Sequence, residues 1–407
     1  MTAPRHRWVV FGGLVAVYFS FGIGVAAIAP MLTLVREDLG ASRGQMGLAL
    51  GSWTMVYIVT SPIAGRFIDR FDLGWSLFLG GCSVIGSLLL RAMADGVGTL
   101  WLAVACFGVF GPLVSASAPA LMANWFPDER ERRLGVGLYA AAPALGGTII
   151  IAITNPVLLE WLGTWRRVLV FEAALAAVCT LGWVAIWAWV ERPERSTVHN
   201  DTAGGDAVRQ LLRSTEVRLI LVTAFALFFV MHSLGTWLPT VLEEHGNMSA
   251  AGAGGWVAAA GLIALVLTAT VPSQATPNRM HLLFIALLGV TVVAIAAVAF
   301  GPVDTIGPAA LVTAARSPLV PIAIVTLLEA DDVTGANAGL ANGLWFSAAQ
   351  VGGVSGPLML GIVADSALGY AGALTTVIVV GTLGIALALV QRRVYLRTNG
   401  SAQRSPC

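Results

Sequence analysis

Residues 137–147 read GLYAAAPALGG, and residues 343–353 read GLWFSAAQVGG. The two stretches lie 206 positions apart and match at Gly137/Gly343, Leu138/Leu344, Gly146/Gly352 and Gly147/Gly353. The same offset carries Pro112-Leu113-Val114 onto Pro318-Leu319-Val320, and Leu162-Gly163 onto Leu368-Gly369. Glycine and leucine are common, so any one match could be accidental. A single register through three separate places is better explained by duplication of half the chain.

The residues around these stretches are apolar. Of 407 residues 57% are hydrophobic and only 11% charged, with a mean hydropathy of +0.82. A soluble domain is about 25% charged, so a water-soluble enzyme is excluded at this level. Polar breaks divide the chain into twelve runs of the roughly 20 residues that a spanning helix needs. They cover 8–35, 46–67, 75–93, 98–125, 135–158 and 168–190, then 218–242, 254–272, 281–300, 306–328, 337–363 and 371–391. The expected fold is an all-α integral membrane protein. Its twelve transmembrane helices form two six-helix bundles related by the internal repeat. The bundles are 1–191 and 218–392, the polar stretch 192–217 is a cytoplasmic linker with a short amphipathic piece at 208–213, and 393–407 is a cytoplasmic tail. The first apolar run is too long for the core of a cleaved signal peptide, so it reads as the first spanning helix.

All 23 basic side chains are arginine. Without lysine there is no Schiff base and no Walker-type phosphate loop. Seventeen of the 23 fall on the side of the N-terminus. Arg36, Arg43, Arg91, Arg166 and Arg167 fall on the other. The positive-inside rule then puts both termini in the cytoplasm, with the chain in a bacterial inner membrane. A net charge of +1 offers no field for nucleic acid. The four cysteines form no CxxC pair, so no metal site, disulfide framework or cofactor is indicated.

Parallel six-helix repeats are one known transporter architecture, and local motifs add to it. Gly65-Arg66-Phe67-Ile68-Asp69-Arg70 resembles the cytoplasmic Gly-x-x-x-Asp-Arg signature of the major facilitator superfamily; Asp72-Leu73-Gly74-Trp75 replaces its usual basic tail. The resemblance implies a conformational latch at Gly65, Asp69 and Arg70, in which Asp69 meets the positive N-terminus of the eleventh helix. Ala142-Pro143-Ala144-Leu145-Gly146-Gly147 is similar to the superfamily's Gly-Pro-x-x-Gly-Gly motif, associated with antiporters. Pro143, Gly146 and Gly147 also suit close helix packing and a bend. Ala123-Asn124-Trp125-Phe126-Pro127 and Gly163-Thr164-Trp165-Arg166 look like further landmarks. The stretch 236–254 resembles the cyanate and 2-nitroimidazole transporter group.

Arg316 is the sharpest chemical signal. It sits about ten residues into the tenth run, roughly 15 Å deep and near the midplane. An unpaired arginine there costs at least about 2.5–3.5 kcal/mol. Glu160, Glu172, Asp304 and Asp365 read as lying near the outer ends, so an anionic solute is the expected partner for its planar guanidinium. His232, mid-way along the seventh run, titrates in the range that suits proton coupling. The remaining substrate-binding candidates are Tyr18, Trp53, Tyr57, Ser115, Tyr139, Trp237, Trp345 and Gln350. Ser117 and Asn342 stand beside them. Aromatic side chains here also serve as packing or interface anchors, and the serines can bond their own helix.

The expected function is secondary active or facilitative transport of a small organic anion by alternating access, with the proton as candidate coupling ion. The expected protein is a monomer in the lipid bilayer, not an enzyme. Multidrug or metabolite efflux is the alternative; a non-transporting sensor or a membrane enzyme comes after both.

Overall fold

The computed structural model describes residues 6–41, 43–190, 204–277, 279–334 and 337–402. Among them are twelve helices long and apolar enough to cross a membrane, and no strand. They are α1 (Arg7–Met31), α2 (Gln45–Ile68, within a helix running Arg43–Arg70), α3 (Leu73–Ala92), α4 (Val97–Trp125), α5 (Glu129–Leu162) and α6 (Trp165–Trp189). Then come α7 (Thr215–His245), α8 (Gly252–Gln274), α9 (Met280–Phe300), α10 (Val303–Leu328), α11 (Ala338–Ala364) and α12 (Gly369–Arg397). The chain is a multi-pass membrane protein.

Two predicted segments are interrupted. The first, expected unbroken over 8–35, ends its regular helix at Ala26; a 3-10 turn at Ala29–Met31 and a short helix at Leu32–Asp38 follow. Pro30 sits in that turn and supplies no N–H for a continuous helix. The tenth runs as helix Val303–Val312, a 3-10 turn Thr313–Arg316 and helix Leu319–Leu328, with Pro318 as the cap of the last piece. Part of the expected linker is helical, Gly204–Arg213, and Ser214 then caps the next helix through the Val217 N–H. Residues 191–203 lie outside the described residues.

The chain divides into two compact units, residues 1–201 with 335–347, and residues 202–334 with 348–407. In the first, α3 packs on α4 and α6, α2 on α4, and α1 on α5 and α6. In the second, α9 packs on α10 and α12, α8 on α10, and α7 on α12. Four of these pairings recur six helices later.

The repeat also reaches down to single atoms. A methyl group on Gly146 would collide with the Phe19 carbonyl, and one on Gly352 with the Phe225 carbonyl. The two contacts correspond member by member at an offset of 206 residues. Small residues permit such close helix approach. Gly163 and Gly369, again 206 apart, turn the chain into α6 and α12 with φ of +78° and +54°, a left-handed conformation that glycine adopts without strain.

Asp72, the residue that replaces the family's basic tail, is the N-cap of α3. Its Oδ1 accepts from the N–H groups of Gly74 at 2.9 Å and Trp75 at 3.3 Å, and from Trp187 Nε1 at 2.9 Å. Asp38 gathers the opposite end of the first unit. It accepts from Arg166 at 2.6 Å and Trp165 Nε1 at 3.2 Å, while Arg166 also donates to the Ala94 carbonyl at 2.9 Å. Thr164 caps α6 just before them, which gives the Gly163-Thr164-Trp165-Arg166 landmark a structural reason. The hydrogen bond from Arg166 holds the Asp38 carboxyl below the usual aspartate range.

Candidate functional site

Proline placement explains three of the carbonyl acceptors used between helices of the first unit. A proline inside a helix leaves the carbonyl four residues earlier without its donor. Pro62 frees Ile58, and the Ile58 carbonyl accepts from Ser347 of α11. Pro112 frees Gly108, which accepts from Thr60 Oγ1 at 2.8 Å. Pro119 frees Ser115, which accepts from both Tyr18, at 2.9 Å, and Asn342 Nδ2, at 3.3 Å. Neighbouring helices thus re-satisfy backbone that proline releases.

Several predicted residues meet at Ser115. Its hydroxyl is hydrogen-bonded to the Tyr57 hydroxyl and lies 3.3 Å from the Pro112 carbonyl. Tyr139 sets its ring edge-on to Tyr18, with centroids 5.3 Å apart. Trp53 packs edge-on to Tyr57 and Phe107, both at 5.6 Å, and Phe346 lies 6.1 Å from Tyr57. Tyr18, Tyr57, Ser115 and Tyr139 are buried, and Trp53 is half-buried. The Tyr139 hydroxyl and the Asn342 Oδ1 are buried without a hydrogen-bond partner among the described residues. Buried polar atoms are normally paired, so these two stand out. Trp345 is fully buried beside Phe346. Ser117 bonds its own helix through the Leu113 carbonyl at 2.5 Å.

Gly65 lies so close to the backbone of Gly339 that a methyl group would collide with its carbonyl; Gly343 meets the Ser61 carbonyl in the same way. The side chains of Asp69 and Arg70 lie outside the described residues. Pro143 abuts Gly22, and Gly147 lies against Ala26 and Gly22.

The second unit holds the other candidates. Arg316 is thirteen residues from the start of α10 and twelve from its end, so it is mid-span. Its Nη1 donates to the carbonyl and the hydroxyl of Thr313, both at 2.9 Å. Among the described residues no carboxylate pairs with it, and Nε and Nη2 make no hydrogen bond. His232 Nδ1 lies 3.2 Å from the Phe228 carbonyl. A methyl group on Gly353 would stand 3.0 Å from Gln350 Oε1 and 3.3 Å from the His232 ring, so those two side chains converge there. Gln350 Oε1 is buried and unpartnered among the described residues. Trp237 Nε1 donates to the Pro357 carbonyl at 3.0 Å.

Arg91 and Glu172 read as outer-end residues, and Arg91 lies in the last turn of α3; both are buried inside the first unit, 3% and 0% exposed. Asn342 stands among the sequence candidates, and Pro119 is the signal for its carbonyl acceptor, Ser115. Among the described residues no group of three or more His, Cys, Asp or Glu is placed to hold a metal ion.

The hexuronate transporter of Bacillus subtilis (strain 168) is 25% identical over 236 residues, 55% of this chain and 54% of that protein. The 2-nitroimidazole transporter of Escherichia coli (strain K12) is 24% identical over 253 residues, 60% of each. The chain thus spans little more than half the length of these curated relatives. The crystal structure of the transporter FucP covers 95% of this chain and 99% of its own, with a TM-score of 0.78 at 14% identity; the likeness is one of fold. A profile of the Major Facilitator Superfamily matches residues 14–330. Duplicated six-helix units, proline-freed carbonyls and this match over most of the chain agree: the protein belongs to the Major Facilitator Superfamily.

Proposed function

We propose that this protein is a secondary transporter, not an enzyme, that carries a small organic anion across the membrane by alternating access. Arg316 is the observation that carries the reading. It is a mid-span guanidinium with two nitrogens unpaired by protein and no carboxylate partner among the described residues. A carboxylate solute would supply the missing charge in bidentate fashion. A hexuronate, the solute named for one relative, carries such a carboxylate. Ser115 and Ser117 spend their hydroxyls on Tyr57 and on helix carbonyls, so the anion contact rests on Arg316 alone.

His232, half-buried with one ring nitrogen on a helix carbonyl, is the proton-coupling candidate of the second unit. Gly65 with Asp69 and Arg70 is the conformational latch. The protein works as a monomer in the bacterial inner membrane, both termini cytoplasmic. Efflux of lipophilic compounds is the second reading, favoured by the aromatic group of Phe21, Trp53, Tyr57 and Phe107.

Proteoliposomes test the assignment. Uptake of radiolabelled glucuronate or galacturonate down an imposed gradient is expected, and Arg316→Lys, which keeps charge but loses the fork, should reduce it at least tenfold. Uptake unchanged in Arg316→Ala, or selective transport of lipophilic cations, would overturn the anion reading.

A further inference from the structure

Two buried charged side chains take no part in the reading above. Arg91 of α3 donates from Nη1 to the Gly24 carbonyl of α1 at 2.6 Å and lies over the Phe107 ring, 5.5 Å from its centroid. Its Nε is buried without a hydrogen-bond partner, and so are both carboxyl oxygens of Glu172 in α6. The two share an apolar core that includes Leu88, Phe107, Leu169, Ala173 and Ala176. The elements packed on α6 are α1, α3 and the end of α5. From α1 comes the Gly24 carbonyl and from α3 comes Arg91; among the described residues Arg91 is the charged group whose field acts on Glu172.

The duplication supplies a control. The positions 206 residues on are Ala297 and Ile378, both packed against the apolar core of the second unit. The bundle therefore closes without charges at these places. Well-packed apolar residues usually stabilise as much as a buried ion pair or more. A pair present in one unit only answers to something other than bundle stability.

We propose that Glu172 is a proton-binding site, at which the proton and the Arg91 guanidinium are alternative partners of one carboxylate. With the proton on, Glu172 is neutral, needs no counter-ion, and leaves Arg91 on the Gly24 carbonyl, as observed. With the proton released to bulk water, a carboxylate lacking any hydrogen bond is costly in that core. Arg91 then turns to it, giving up Gly24. The net charge of the pair goes from +1 to 0. Gly24 lies three residues before the α1 helix ends at its Ala27 cap, so the exchange ties proton occupancy on α6 to a backbone contact on α1. This site is separate from Arg316 and does not depend on what is transported.

Infrared difference spectra of the purified full chain, taken without solute between about pH 5 and about pH 10, test it. Glutamate labelled with carbon-13 at the carboxyl identifies the residue type by its isotope shift. Wild-type protein should show a protonated glutamic-acid carbonyl band that disappears on raising pH and is missing from Glu172→Gln. Arg91→Gln should keep the band to a pH at least about one unit higher, a tenfold tighter proton. The double variant Arg91→Ala with Glu172→Ile, which copies the second unit, should fold and lack the band, and so covers any failure of the single variants to fold. The proposal is overturned if Glu172→Gln takes away no part of the titrating glutamic-acid signal, or if Arg91→Gln leaves the midpoint of that part unmoved.

Discussion

Asp72→Ala should destabilise the protein by about 2 kcal/mol. Asp72 serves two partners at once. As N-cap of α3 it holds the Gly74 and Trp75 N–H groups, and loss of such a cap costs about 1 kcal/mol. It also accepts from Trp187 Nε1 at 2.9 Å in a half-buried setting, where an orphaned donor costs about 1 kcal/mol, the low end of the usual range. Asp72→Asn keeps an acceptor oxygen in place and should lose less than about 0.5 kcal/mol, since asparagine caps nearly as well. Trp187→Phe removes the second partner alone and should cost about 1 kcal/mol. The double variant Asp72→Ala/Trp187→Phe should then cost about 1 kcal/mol less than the sum. Equilibrium unfolding in detergent micelles reads all four. An Asn variant as damaged as the Ala variant would show that charge, not the acceptor, matters. Strict additivity in the double variant would remove the Trp187 bond from the account.

Other expectations follow from the same geometry. Tyr18→Phe should cost about 1 kcal/mol in the wild type. It should cost less beside Pro119→Ala, which returns a helical N–H to the Ser115 carbonyl; equal cost in both backgrounds would count against the freed carbonyl. Gly146→Val and Gly352→Val should each lose about 1–3 kcal/mol by overpacking against carbonyls, while Gly182→Val, with open space around it, leaves the melting temperature near wild type. Gly163→Ala and Gly369→Ala should each cost about 1 kcal/mol through their left-handed backbone, although no atom stands in the way. Asp38 binds its proton less readily folded than unfolded. Its contribution is therefore complete above the ordinary aspartate range and fades as pH falls through the depressed value. Asp38→Asn should flatten the acid side of a melting-temperature profile below about pH 4, and an unchanged acid limb would refute this.

Architecture was legible because it rests on composition and period. Apolar runs about 20 residues long have few alternatives, and the 206-residue register marks contacts that only glycine permits, at Gly146 and Gly352. The interruptions at Ala27 and Ser317 were less so, because proline tells where a helix is weakened, not how the chain recovers. Among site residues, Arg316 stood out since charge is rare in such a segment. The meeting of Tyr18, Tyr57 and Asn342 at Ser115 was not visible, because hydrogen bonds between helices depend on rotation about each axis. The burial of Glu172 was hidden for a related reason: depth can be counted along a sequence, but the side of the helix that faces the core cannot when nearly every neighbour is apolar.

The glycine-on-carbonyl contacts bear on how two copies of one ancestral half could come to do different work. A carbonyl oxygen is presented by any residue, so the Phe19 and Phe225 side of each contact constrains no side chain. The glycine side admits no substitute. Each half is therefore pinned at a handful of backbone spacings and left open elsewhere. That freedom is where Arg316 stands against Phe110, and where Arg91 and Glu172 stand against Ala297 and Ile378. Symmetry of frame and asymmetry of charge come from the same economy: the parts that must be kept identical are those with no side chain at all.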